Sequence, residues 1–334
     1  VTALIGVIAP FLIGCWVVGE WVFASSDIKL NLFLGATLAA TSTGISVRVF
    51  KDLGILRNPA CQIVLTASII DDILGLVILA FVSGLVIAGT LDLITVGHIL
   101  LNVVIFFVLA LLVARKLTPK LMKWILKISH EESMIVISLV SFCLFWAWFA
   151  HAIGLASIIG AFVAGLIMDE VVFRKANQPH WYQKLLELSH NTTNQETQQM
   201  IQDQIIVRDH HERLVDLIKP LNYVLVPIFF VYAGMQVDLV AVANWSTLVY
   251  GFWLSLAAIG GKLISGVFLP KSINRWIVGF GMVPRGEIGL IFALTGRQLG
   301  VFSSDVFAAV LLMVVITSIV TPLALQFIVK RGLK

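Results

Sequence analysis

The stretch Thr66-Ala67-Ser68-Ile69-Ile70-Asp71-Asp72-Ile73-Leu74-Gly75-Leu76 sets two adjacent carboxylates inside an apolar run from about Ile63 to Ile87. A run of that length crosses the hydrocarbon core of a bilayer as a helix. A carboxylate at the bilayer centre costs roughly 3 kcal/mol on insertion scales. Two in succession therefore require a water-reached cavity, an ion or a cationic partner. Neighbouring helical residues point about 100° apart, so one Asp can face a passing cation while the other pairs with a buried base.

Composition extends this reading to the whole chain. Hydrophobic residues make up 59% of the 334 residues and charged residues 13%, and the mean hydropathy is +0.98. A soluble core of this size needs far more polar surface, so the chain reads as an all-α polytopic membrane protein whose surroundings are lipid. Its net charge of +4 is concentrated in loops, and no nucleic-acid partner is expected. Cys15, Cys61 and Cys143 fall in different apolar segments without paired spacing, which suggests packing and neither disulfides nor a metal centre. The chain opens on an apolar run at Val1 with no Met, so further N-terminal chain is expected. Residues 1–23 lack the basic start and small-residue cleavage site of a signal peptide.

Ten apolar segments follow one another, at about 3–24, 30–50, 60–88, 95–115, 132–151, 153–170, 218–236, 245–269, 273–299 and 303–329. The second contains Gly35-Ala-Thr-Leu-Ala-Ala-Thr41-Ser42-Thr43-Gly44, a polar, glycine-ended stretch at mid-membrane depth. The ninth contains Gly279-Phe-Gly281-Met-Val-Pro284-Arg285-Gly286-Glu287, where Gly and Pro break a helix beside two charges. Non-helical backbone is tolerated at that depth only where it lines a cavity or lies inside protein. The first three segments read unbroken, broken, unbroken, and the last three repeat that order with opposite orientation. This pattern predicts an inverted repeat with paired interrupted helices, the sequence pointer to a secondary transporter's binding site.

Loop charges orient the chain. Nineteen of the twenty-three Lys and Arg residues lie in the turn at 48–57, the loop at 115–127, the linker at 174–219, the turn at 271–275 and the tail at 330–334. Lys29 and Arg297 lie on the other side, and Lys262 and Arg285 are intramembrane. The positive-inside rule places the linker and the C-terminus in the cytoplasm. Residues 173–217 form the only sizeable polar stretch, read as an amphipathic or partly flexible cytoplasmic helix. A sensing role for His180, His190, His210 and His211 is the alternative. The glycosylation sequon at Asn191-Thr192-Thr193 is incidental on that side. His98, His130 and His151 lie near segment ends and read as interfacial.

The strongest constellation is Asp71, Asp72 and Lys262. Lys262 lies in Ala258-Ile-Gly-Gly-Lys262-Leu-Ile-Ser265-Gly266, too deep for its amine to reach water along the stem. A static salt bridge would explain one Asp and leave the other an unexplained cost. Ser68, one turn before Asp72 on the same helical face, either offers an oxygen to a cation or bonds its own backbone. Thr41 and Ser42, at the first break, have hydroxyls and freed carbonyls suited to a small hard cation. Arg285 and Glu287 flank Gly286 and are read as neutralising the half-helix ends.

Together these motifs resemble the monovalent cation/proton antiporters of the second cation–proton antiporter branch, which includes bacterial sodium/proton exchangers and potassium-efflux systems. The resemblance rests on Gly35–Gly44, Ser68-Ile-Ile-Asp-Asp-Ile-Leu-Gly75, Pro227-Ile-Phe-Phe-Val-Tyr-Ala-Gly-Met235, Lys262 and Gly281-Met-Val-Pro-Arg-Gly-Glu-Ile-Gly289, in the family's order. It implies a sodium/proton antiporter fold with two crossed discontinuous helices and a separate dimerisation domain. Residues 1–90 and 244–334 would form the two halves of the ion-binding core, and 91–243 the linker and dimerisation helices. Asp72 would be the main cation ligand and proton carrier, and Asp71 the partner of Lys262. The resemblance also implies that N-terminal helices of the dimer contact lie outside these ten segments, and that the full-length protein is a homodimer.

The expected activity is exchange of Na⁺, with K⁺ or Li⁺ as alternative cargoes, for H⁺ by alternating access in a bacterial inner membrane, without a cofactor. A sodium-coupled organic-anion symporter of similar fold and a K⁺ efflux system are the alternatives. An intramembrane enzyme is disfavoured. Asp71-Asp72 is followed by no further acid of a diphosphate-binding motif, and no Asp on another helix stands in the Gly-x-Gly-Asp context that an intramembrane aspartyl protease needs.

Overall fold

A computed structural model of the chain describes residues 2–89, 93–116, 120, 132–155, 157–171, 219–270 and 272–332. The linker at 173–217 with its four histidines and sequon, His130, and all but Lys120 of the loop at 117–131 lie outside the described residues. Every regular element among the described residues is a helix. Five helical stretches are long and apolar enough to cross a membrane: Thr2–Val22, Ile28–Asp52, Pro59–Ala88, Trp245–Val267 and Ser304–Lys330.

Two compact units result, one comprising residues 1–99 and 232–334 and the other residues 100–231. The first unit begins with α1 (Thr2–Leu12), which continues as a wider π-helical segment, Ile13–Val22. Then come α2 (Ile28–Ala39), α3 (Thr43–Asp52) and α4 (Pro59–Ala88). Its C-terminal part holds α9 (Leu239–Ala243), α10 (Trp245–Val267), α11 (Arg275–Gly281), α12 (Glu287–Gln298) and α13 (Ser304–Gly332). The other unit contains most of α5 (Leu93–Lys116), with α6 (Glu132–Ala152), α7 (Ser157–Val171) and most of α8 (Lys219–Met235). In it α6 packs along α7, and Phe106, Trp146 and Phe149 form an aromatic cluster.

Local chemistry sets the boundaries that matter for the site. Asn58 caps α4 by accepting from the Ala60 N–H, Pro59 occupies the first turn where no N–H is needed, and Gly89 closes the helix at φ 75°. Asp27 and Asn274 cap α2 and α11 in the same manner. The 30 residues of α4 span about 45 Å, so Asp71 and Asp72 fall near its middle. The two interrupted segments open where the sequence predicts. The first leaves helical geometry at Ala40 and resumes at Thr43, and the second leaves it at Met282 and resumes at Glu287.

The first segment is unbroken, as the sequence predicts, but its second half winds in wider π turns, with the Phe23 N–H donating to the Val18 carbonyl five residues back. The reason is packing against α2. Gly14 lies against Gly35, where an added Cβ would sit 2.6 Å from the Gly35 Cα. Such irregular turns shift side chains around a helix, a tertiary demand that apolar periodicity does not record.

Candidate functional site

The site is built where the two breaks meet inside the first unit. The Ser42 N–H donates to the Pro284 carbonyl at 2.8 Å, so the extended backbone of one break is paired with that of the other. The Ser46 hydroxyl, one turn into α3, donates to the Gly281 carbonyl at the end of α11. Gly286 fits against Ser42, where a Cβ would lie 2.6 Å from its hydroxyl. The Ser318 hydroxyl of α13 donates to the Arg285 carbonyl at 2.7 Å. These bonds satisfy backbone groups that the breaks release, as burial demands.

Beside this crossing, α4 and α10 contribute the charged pair. Lys262 Nζ lies 2.6 Å from Asp71 Oδ2, and both side chains are fully buried. The Thr41 hydroxyl donates to the same oxygen at 2.9 Å. Asp71 Oδ2 thus receives both donors while Oδ1 has no partner. Arg285, also fully buried, donates from Nη2 to the Leu38 carbonyl near the C-terminal end of α2, where the helix dipole is negative. Its Nε and Nη1 have no hydrogen-bond partner.

Asp72 follows Asp71 directly on α4. It is partly exposed, and Thr43, the first residue of α3, lies beside it. Asp72 Oδ1 and the hydroxyl of the fully buried Ser68 have no hydrogen-bond partner. Glu287 opens α12, is exposed, and accepts from the Ser42 hydroxyl at 3.2 Å. It is close enough to Asp72 for their charges to interact. The crossing therefore has a sealed side, with Asp71, Lys262 and Arg285, and an open side, with Asp72 and Glu287.

Buried polar atoms without partners call for an explanation. Asp71 Oδ1, Asp72 Oδ1 and the Ser68 hydroxyl are such atoms, and oxygens are the type of ligand that hard cations take. Hydroxyls that donate to carboxylates, as those of Thr41 and Ser42 do, keep lone pairs for a cation. Among the described residues no group of three His, Cys, Asp or Glu side chains is gathered as for a transition metal.

All eight residues singled out in the sequence belong to this one region. Sequence reasoning passed over Thr43, Ser46 and Ser318. Ser46 lies four residues after Ser42, a spacing that puts both on one helical face, and that signal was legible. Ser318 lies in an apolar run where a hydroxyl ordinarily bonds its own helix, as it also does here to the Val314 carbonyl.

Comparison with known proteins bears on this geometry. The sequence model described as "Sodium/hydrogen exchanger, transmembrane" matches residues 1–331. The chain is 29% identical over 330 residues to the high-affinity Na(+)/H(+) antiporter NhaS3 of Synechocystis, covering 96% of this chain and 63% of that protein. It is 31% identical over 333 residues to the Na(+)/H(+)-K(+) antiporter GerN of Bacillus cereus, covering 97% and 74%. It is 28% identical over 335 residues to a Na(+)/H(+) antiporter of Enterococcus hirae, covering 98% and 76%. The chain thus spans less than two thirds of the length of the first relative and about three quarters of the other two.

Proposed function

The chain belongs to the transmembrane sodium/hydrogen exchanger family, and on that premise we propose that it is a secondary-active antiporter exchanging Na⁺, K⁺ or Li⁺ for H⁺. The observation that carries this reading is the buried Lys262–Asp71 pair at the crossing of two broken helices, one residue from the partly exposed Asp72. Cation and proton compete for the Asp72 carboxylate, with Ser68, Thr41 and Ser42 offering neutral oxygens. Lys262 holds Asp71 against the sealed side. Arg285 offsets the negative end of α2, so the open backbone there does not trap the cation.

Coupling follows from charge. A site that moves through a low-dielectric barrier must first be neutralised, by the cation on one side of the membrane and by protons on the other. Potassium stays among the cargoes, and the name of the Bacillus cereus relative, which carries both ions, supports keeping it. The same reading puts the C-terminus in the cytoplasm, on the strength of the loop charges, and takes the membrane to be a bacterial inner membrane. It also makes the full-length protein a homodimer, as the resemblance implies.

The test is cation-driven dequenching of a pH-sensitive dye in proteoliposomes of the full-length protein, scanning Na⁺, K⁺ and Li⁺. Proton release driven by at least one of these cations, and abolished by Asp72→Asn, is the expected result. Asp71→Asn should reduce exchange by loosening Lys262. Silence with every monovalent cation, or full activity in Asp72→Asn, would sink the antiporter reading and favour an organic-anion symporter.

A further inference from the structure

The charge at the crossing raises a question that the Asp71–Asp72–Lys262 constellation alone leaves open. With every group ionised, Asp71 and Asp72 are balanced by Lys262 and Arg285, both fully buried in the same region. That set is neutral when empty and would carry a positive charge when a cation arrives. Moving an uncompensated charge through the membrane interior is costly. The missing negative charge is supplied by Glu287, which opens α12 directly beside the break.

We infer that Glu287 is a second exchanging carboxylate of the transport site, standing at its open mouth and sharing cation and proton with Asp72. This rests on the antiporter reading and assigns the mouth of that same site. Three observations carry it. Exposure falls from the exposed Glu287 through the partly exposed Asp72 to the fully buried Asp71, so Glu287 is the most accessible of the three acids. The Ser42 hydroxyl holds Glu287 at 3.2 Å, which ties the carboxylate to the break opposite its own helix. Independently of the acids, Ser68 is fully buried one turn before Asp72, with a hydroxyl that has no partner, an oxygen left for a ligand on the Asp72 side.

With Glu287 included, the ionised cluster carries a single net negative charge. One monovalent cation cancels it, and so does one proton. Exchange then consists of the cation leaving the carboxylates as a proton joins them, with the cluster neutral in both loaded states. Dipole neutralisation alone does not account for the position of Glu287. A carboxylate in the first turn of α12 is favourable for the helix, but the helix places no demand on its contact with Ser42 or its nearness to Asp72.

The experiment measures the apparent KM for the driving cation across a pH series in proteoliposomes, for full-length wild type, Glu287→Gln, Glu287→Asp and Ser42→Ala. Glu287→Gln keeps the side chain's shape, and it is expected to raise KM roughly tenfold or more, the scale of losing one nearby opposite charge. It should also make the pH dependence of KM shallower, because one group for which protons compete is gone. Glu287→Asp should recover most of the affinity, and Ser42→Ala should raise KM in the same direction by a smaller factor. A wild-type KM and pH profile in Glu287→Gln would overturn the inference, as would a fall in maximal rate at unchanged KM, which marks a structural role. If Glu287→Gln does not fold, a wild-type KM and pH profile in Ser42→Ala overturns it. Failure of the antiporter reading itself is told apart by the wild type, which would release no protons to any cation.

Discussion

Asp71 takes two hydrogen bonds on one oxygen and none on the other, while Lys262 has a single carboxylate within reach. Such a buried pair is poor evidence for stability, yet removing one partner strands a charge at a cost of about 3–5 kcal/mol. Lys262→Ala is therefore expected to lower the melting temperature in detergent markedly. Adding Asp71→Asn to the same chain should restore much of the loss, because the stranded charge disappears. Simple addition of the two single effects would show that the pair is uncoupled. Ser68 makes the opposite case. Its buried hydroxyl is without a partner, so Ser68→Ala should leave stability unchanged or raise it, by up to about 1–3 kcal/mol. The same substitution should raise the apparent KM for the cation, and a clear drop in melting temperature would contradict the ligand role. The residues involved were legible in the sequence because charges in an apolar run are costly wherever they lie. The sharing of Asp71 Oδ2 by Lys262 and Thr41 was not, since it depends on how the first break, α4 and α10 pack together.

At the scale of elements, the two breaks are what the site depends on. Gly286 and Gly44 are both glycines beside a break, but their surroundings differ. A Cβ at Gly286 would lie 2.6 Å from the Ser42 hydroxyl and 2.9 Å from its Cβ, whereas a Cβ at Gly44 meets nothing within 4 Å. Gly286→Ala is expected to push the breaks apart, lowering both the melting temperature and the transport rate. Gly44→Ala should be neutral or stabilise α3 by about 0.5–1 kcal/mol through helix propensity. Equal behaviour of the two variants in thermal melting would refute this account of the crossing. The breaks themselves were visible in sequence, because Gly, Pro and hydroxyl residues interrupt otherwise apolar helical runs. The π-helical turns at Ile13–Val22 were not, because their cause is the approach of Gly14 to Gly35 on another helix.

For the molecule as a whole, the loop charges predict which ends of the helices face the cytoplasm. Ser26, before α2, and Asp52, at the end of α3, are both exposed and lie on opposite sides in that scheme. Cys15 and Cys61 are buried and Cys143 only partly so, so a background with Cys143→Ser is quiet enough for labelling. An impermeant maleimide added to intact cells should label Ser26→Cys and spare Asp52→Cys, and permeabilised cells should label both. The reverse pattern would invert the orientation. At this scale hydropathy was informative because a bilayer requires long apolar helices whatever their neighbours. The division into units, one joining residues 1–99 to 232–334, is a property of packing that no local stretch of sequence specifies.

Sequence alone determined that this is a helical membrane protein, where its helices break, and which ionisable residues are held at membrane depth. Each of these follows from a local cost: desolvating a charge, or leaving backbone groups unpaired in an apolar medium. Only the tertiary structure decided who meets whom. It set the Ser42 N–H on the Pro284 carbonyl and Lys262 on Asp71, and it left Asp72 and Glu287 on the open side. Hydrogen bonds at this crossing link residues up to 247 positions apart, and contacts of that span arise from the packing of whole helices.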